Sequence, residues 1–166
     1  MTAMAEASTT TRVFQVYIKA PPERIWDAIT KSEFTNRYGY GGDVDIDLRP
    51  GGTFKAFASD AMKQGGAPDV VVEGEVIDAD PPRRLVQTWH PVWSSESAAE
   101  PPTRLTYEIE PGPGDVCKLT VVHELAGAPS VEAIVTGSVA EAGGGWNYVL
   151  SDIKTLLETG RSLAEQ

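Results

Sequence analysis

Gly145-Trp146-Asn147-Tyr148-Val149-Leu150-Ser151-Asp152-Ile153-Lys154-Thr155-Leu156-Leu157 is the stretch on which the fold turns. Trp146, Leu150, Ile153 and Leu157 recur at i, i+4, i+7 and i+11, which predicts one apolar face of a helix ending near Gly160. Such a face needs a partner layer, and the chain before it offers strands. Residues 131–141 also carry a helical pattern. Between the two lie Gly143, Gly144 and Gly145, each costing about 1 kcal/mol in a helix relative to alanine. They predict a break, or a helix start just after them.

Upstream, from Asp43 to Leu125, the apolar period is two. Val44, Ile46 and Leu48 alternate with aspartates, Pro50-Gly51-Gly52 turns the chain, and Thr53 to Ala58 returns. Val70 to Asp78 and Arg84 to His90 read as strands joined through Asp80-Pro81-Pro82. Thr103 to Glu110 and Val116 to Leu125 read as a hairpin around Pro111-Gly112-Pro113-Gly114. Ser59 to Asp69 and Pro91 to Pro102 read as long loops, the second carrying Trp93. At the start, Val13 to Lys19 is a strand. Pro22 and Glu23 open a short helix to about Thr30, and Ser32 is placed to cap a second one from Glu33 to Tyr38. The order is strand, two short helices, six strands, long helix: an α+β chain whose antiparallel sheet of about seven strands covers a C-terminal helix. No repeat or linker divides it, so residues 12–160 are expected to form one domain, with 1–11 a disordered tail and 161–166 a C-terminal tail.

The bulk numbers narrow the function. Twenty-four acids against 14 bases give a net charge of −10, which argues against nucleic acid and against an anionic membrane surface. No apolar run is long enough to span a bilayer, so no membrane insertion is expected, and residues 1–11 lack the core of a signal peptide. The one cysteine, Cys117, allows no internal disulfide and suits a cytoplasmic location.

Alternation also assigns faces. The inward set is nearly all apolar, from Phe14, Val16 and Ile18 through Val44, Ile46, Leu48 and Phe54 to Leu119 and Val121. The polar exceptions are Gln87, Tyr107 and His123, with Thr103 beside them. This pattern suits both a pocket for a small apolar ligand and a filled core. A hairpin centred on residues 112–114 would pair residues summing to about 226, setting His123 opposite Thr103 and Tyr107 opposite Leu119. A Trp89–Thr103–His123 cluster is then expected at the rim near the 91–102 loop. His123 and Tyr107 would stand four residues apart, roughly 13 Å at the strand rise.

Four phrases carry a resemblance. They are Ala20-Pro21-Pro22-Glu23-Arg24-Ile25-Trp26-Asp27-Ala28-Ile29; Leu48-Arg49-Pro50-Gly51-Gly52-Thr53-Phe54; Gly74 through Trp89 with its Asp80-Pro81-Pro82-Arg83-Arg84-Leu85 centre; and Gly145-Trp146-Asn147-Tyr148-Val149-Leu150. In this order they resemble the activator of Hsp90 ATPase homologue 1-like family of the START and Bet v 1 superfamily, over roughly residues 12–160. The resemblance implies the helix-grip fold and some cavity between sheet and C-terminal helix. It makes a homodimer as admissible as a monomer. Two departures stand out: a glutamine at Gln87, where a large apolar residue is usual and where an inward amide needs partners, and the triple glycine before Trp146, which would loosen the helix start.

The resulting ligand-binding candidates are Phe54, Gln87, Trp89, Trp93, Thr103, Leu105, Tyr107, His123, Trp146 and Leu150. His123 and Tyr107 are the only residues singled out for proton transfer, each with an ordinary structural role as the alternative. Trp93, in a polar loop, is either core or a cap over the pocket mouth. Asp43, Asp45 and Asp47 alternate with β-formers and read as a solvated strand face rather than a calcium loop. No metal or redox cofactor is called for. Three functions remain open: a binder, carrier or sequestering protein for a small hydrophobic or amphipathic molecule, which is preferred; a cyclase- or aromatase-like enzyme using the same cavity; and a protein-binding module like the family's co-chaperone founder.

Overall fold

The computed structural model describes residues 10–139 and 144–165. Most of the expected 1–11 tail, the glycine at 143 and the end of the 131–141 segment lie outside them. Seven strands form one antiparallel sheet in the order β1-β7-β6-β5-β4-β3-β2. The strands are β1 (Thr11–Lys19), β2 (Val44–Ile46), β3 (Thr53–Phe57), β4 (Val70–Asp80), β5 (Arg84–Pro91), β6 (Thr103–Pro111) and β7 (Val116–Glu124). Six helices accompany them: α1 (Pro22–Thr30), α2 (Ser32–Thr35), α3 (Asp60–Gln64), α4 (Ser95–Ala98), α5 (Pro129–Val135) and α6 (Gly145–Thr159).

The apolar face of α6 is buried as its spacing requires. Trp146, Leu150, Ile153 and Leu157 enter one core with Ile18, Leu85, Leu105, Leu119 and Val121 from the inner face of the sheet and Ile25 and Trp26 from α1. Removing this much apolar surface from water is the main stabilising term. The sheet leaves β1 at an edge, where unpaired backbone groups invite another strand. Here α6 covers part of that edge. The Lys19 N–H donates to Glu158 Oε2 at 2.8 Å, and Lys154 Nζ donates to the Tyr17 carbonyl at 2.8 Å. These donors, with the Lys154 ammonium first, hold the Glu158 carboxyl below its usual range.

Several local expectations are corrected. Ser32 does not cap its helix. Its Oγ accepts from the Val44 N–H and donates to the Val44 carbonyl, both at 3.0 Å, which pins β2 to α2. The two presumed loops each contain a helical turn with a serine cap: Ser59 Oγ accepts from the Met62 N–H, and Ser94 Oγ from the Ser97 N–H. Leu48 lies beyond the end of β2 and is exposed. In the β6–β7 hairpin, Leu105 pairs with His123 and Tyr107 with Val121. The register is therefore two residues off the expected one. The turn uses a 3-10 segment, Pro113–Asp115, with Gly114 and Asp115 at positive φ, and so centres later than the Pro-Gly-Pro-Gly run suggests. A shift of two keeps every side chain on its face. His123 thus stands two residues, about 7 Å, along from the partner of Tyr107 rather than four.

Gly145, directly before Trp146, serves close packing. Gly145 has φ +70°, and a Cβ on it would overlap the Val135 carbonyl and come within 2.7 Å of the Gly137 nitrogen. The backbones of the α5 end and the α6 start touch there.

Candidate functional site

A cavity of about 140 Å³ opens between the inner face of the sheet and α6. Its aromatic lining comprises Phe54 and Phe57 (β3), Trp89 (β5), Tyr107 (β6) and Trp146 (α6), with Tyr38 and Tyr40 from the segment after α2. Aliphatic surface comes from Ile29, Val72, Val135, Val149 and Ile153. The segment Gly39–Val44 forms the remaining wall, and its residues 41–44 also border a polar surface groove with Ser59, Asp60 and Lys63.

Of the ten ligand-binding candidates, Phe54, Trp89, Tyr107 and Trp146 line the cavity. The other six do not. Leu105 and Leu150 are buried core. Gln87 is 1% exposed and makes one long bond, from Nε2 to the Thr88 carbonyl at 3.3 Å. Trp93 packs behind the wall, its ring 6.2 Å from Trp89 and 6.0 Å from Tyr40.

Thr103 and His123 form the expected cluster with Trp89, but it is buried rather than at a rim. Trp146 joins it. The Trp146 Nε1–H donates to His123 Nδ1 at 3.1 Å, and an indole nitrogen can only donate. Nδ1 is therefore the unprotonated nitrogen, and Nε2–H faces Thr103 Oγ1 at 2.8 Å. That hydroxyl in turn donates to the Trp89 carbonyl at 2.8 Å. The chain Trp146–His123–Thr103–Trp89 uses each group once and runs in one direction. His123 is 0% exposed, and burial pushes its pKa down to about 3. Both ring nitrogens are engaged, and neither faces the cavity.

The sign of the pH dependence follows. The native pKa is below the unfolded value near 6.5, so between those values only the unfolded chain takes up the proton. This group's contribution is complete above pH 6.5 and is lost as pH falls, at about 1.4 kcal/mol per unit. Urea unfolding at pH 7 and pH 5 is expected to differ by about 2 kcal/mol more in the parent than in His123→Gln. Equal differences would mean that the imidazole is not held neutral.

Polar groups on the cavity wall are few. Tyr107 Oη makes no hydrogen bond with a described residue, and burial raises its pKa, so the phenol stays neutral and acts as a donor. Thr35 Oγ1 is buried without a partner among the described residues. Tyr38 is spent, its hydroxyl donating to the Ala28 carbonyl at 2.8 Å.

Asp152 was missed by the sequence reading. It is 2% exposed, and its carboxylate accepts from the Gly39 N–H at 2.9 Å and the Leu163 N–H at 2.7 Å. It thereby anchors the Gly39–Val44 wall and the C-terminal turn to α6. The available signal was an acid four residues before Leu156 and one before Ile153, within the apolar face. Glu100 was missed too; its two oxygens accept from the Ser130 and Val131 N–H groups at 2.8 and 3.1 Å, at the start of α5.

Among the described residues no three His, Cys, Asp or Glu side chains gather as a metal site, and no helix is long and apolar enough to cross a membrane. A family model described as activator of Hsp90 ATPase homolog 1-like protein matches residues 19–158. No curated protein matches in sequence. Solved structures do match in fold. The Aha1 dimer from Colwellia psychrerythraea is 17% identical with a TM-score of 0.66, over 93% of this chain and 100% of that one. CalU16 from Micromonospora echinospora is 22% identical with a TM-score of 0.61, over 92% of this chain and 68% of that one. DynU16, titled a putative protein in the dynemicin biosynthetic locus, is 21% identical with a TM-score of 0.65, over 93% of this chain and 49% of that one.

Proposed function

The chain belongs to the activator of Hsp90 ATPase homologue 1-like family, and on that premise we propose that it binds a small hydrophobic or amphipathic molecule between sheet and C-terminal helix, as a carrier, sensor or sequestering protein. The observation that carries this reading is the cavity walled by Phe54, Trp89, Tyr107 and Trp146. Aromatic walls with a few convergent polar groups are the usual make-up of a small-molecule site. In this reading residues 12–160 act as one cytoplasmic domain, monomeric or homodimeric, with residues 1–11 and 161–166 as tails.

The enzymatic alternative is a polyketide cyclase- or aromatase-like reaction in the same cavity. Its support is the likeness to DynU16, titled a putative protein in a biosynthetic locus. Against it, His123 is buried away from the cavity with both nitrogens bonded, and the Tyr107 phenol on the wall stays neutral. The co-chaperone alternative rests on the likeness to Aha1.

Extraction of the purified protein with native mass spectrometry, then titration of tryptophan emission with whatever is found, tests the proposal. Trp89 and Trp146 line the cavity, so occupancy is expected to change emission with one-to-one stoichiometry. Timed product analysis separates carrier from enzyme. A protein with no bound species and no response to any apolar probe would overturn the binding reading in favour of surface recognition.

A further inference from the structure

The size and chemistry of the cavity restrict its occupant. We propose that it takes a neutral molecule of single-ring size carrying one oxygen that accepts a hydrogen bond, with Tyr107 Oη as the donor and Thr35 Oγ1, unsatisfied among the described residues, also on the wall. This rests on the binding reading above and narrows it.

Size comes first. Drug-sized ligands occupy roughly 300–1,000 Å³, whereas the cavity holds about 140 Å³. A dry engineered cavity of about 150 Å³ accepts benzene. One ring with a short substituent fits; a fused polycycle does not without rearrangement of the walls. The aromatic faces around that volume favour a planar ring, through offset and edge-to-face contacts.

Charge comes second. Among the described residues no lysine or arginine lines the cavity, so a carboxylate or phosphate would enter without a counter-ion. Asp43, the one carboxylate on the wall among the described residues, accepts from Asn36 Nδ2 at 3.2 Å and borders the outer groove. A cation would therefore stop at the mouth.

The hydrogen bond comes third. Tyr107 Oη and Thr35 Oγ1 have no partner among the described residues, although one lines the cavity as a neutral phenol and the other is a buried atom on its wall. Tyr107, half-buried, presents an unspent donor on the wall, and a carbonyl or ether oxygen on the ligand would accept from it. Sites that hydrogen-bond a ligand in this way reject analogues lacking the group.

Five probes separate these claims by tryptophan emission: acetophenone, its hydrocarbon counterpart ethylbenzene, benzoate, benzylamine and the two-ring 2-acetonaphthone. Tyr107→Phe keeps the ring and removes only the hydroxyl, and Thr35→Val does the same on α2. Acetophenone is expected to bind about five- to tenfold more weakly to Tyr107→Phe than to the parent, with ethylbenzene unchanged, because the lost bond is worth about 1 kcal/mol. Acetophenone is also expected to exceed both charged probes and 2-acetonaphthone on the parent. Unchanged melting temperatures check that both variants fold. If acetophenone and ethylbenzene bind the parent but keep the same ratio in Tyr107→Phe and in Thr35→Val, the polar assignment fails while the binding reading stands. Tighter binding of 2-acetonaphthone overturns the size limit, and tighter binding of benzoate or benzylamine overturns neutrality. If no probe binds the parent, the binding reading itself fails.

Discussion

Trp146→Ala is expected to lower the free energy of unfolding by about 3–5 kcal/mol, the range for deleting a buried aromatic side chain. Trp146 is 7% exposed, and its ring sits 5.9 Å from Tyr107, 6.2 Å from His123 and 6.4 Å from Trp89. The truncation removes all of these contacts and leaves His123 Nδ1 without its donor. Trp146→Phe separates the two effects. It retains most of the packing and loses the indole N–H, so a loss of about 1–2 kcal/mol is expected, set by the unsatisfied imidazole nitrogen. Urea unfolding of both variants makes the comparison. Equal losses in the two would mean that the hydrogen bond, not the packing, dominates; a loss under about 1 kcal/mol for the alanine variant would mean that the ring is not part of the core.

Gly145→Ala is expected to cost about 3 kcal/mol or more, while Gly51→Ala costs about 1–2 kcal/mol. Both glycines have positive φ, +70° and +84°, so both substitutions carry the left-handed penalty. They differ in their surroundings. Nothing lies within 4 Å of a Cβ on Gly51, whereas one on Gly145 would overlap the Val135 carbonyl and approach the Gly137 nitrogen. Backbone cannot rotate away as a side chain can, so α5 and α6 must separate. Because Gly145 and Val135 both line the cavity, the same variant is expected to weaken probe binding. Thermal unfolding of the two variants side by side gives the difference directly; similar losses would show that the α5–α6 contact yields without cost.

Much of the architecture was legible because it rests on periodicity. The i, i+4, i+7, i+11 face of α6 and the two-residue alternation of β5, β6 and β7 follow from side-chain direction alone, and parity survived even where the hairpin register slipped by two. The slip came from turn geometry: Gly114 and Asp115 both take positive φ, and nothing in Pro111-Gly112-Pro113-Gly114 announces the aspartate. Alternation likewise brought Trp89, Thr103 and His123 together. It failed to say which inward residues border empty space. Gln87 and Tyr107 share a face, yet only Tyr107 reaches the cavity, because the gap depends on how α6 and the Gly39–Val44 segment sit above the sheet. Those placements hang on single long-range bonds, such as Asp152 to the Gly39 N–H and Ser32 to Val44, which have no local period.

Of the aromatic lining, Phe54, Trp89, Tyr107 and Trp146 come from four separate elements, each ring projecting from regular backbone. Trp89 and Trp146 serve both the wall and the hydrogen-bonded scaffold, whereas Phe54 serves, of these two, the wall alone. One substitution at Phe54, on β3 near the far edge of the sheet, reshapes the chamber without touching the Trp146–His123–Thr103–Trp89 chain that ties the opposite strands to α6.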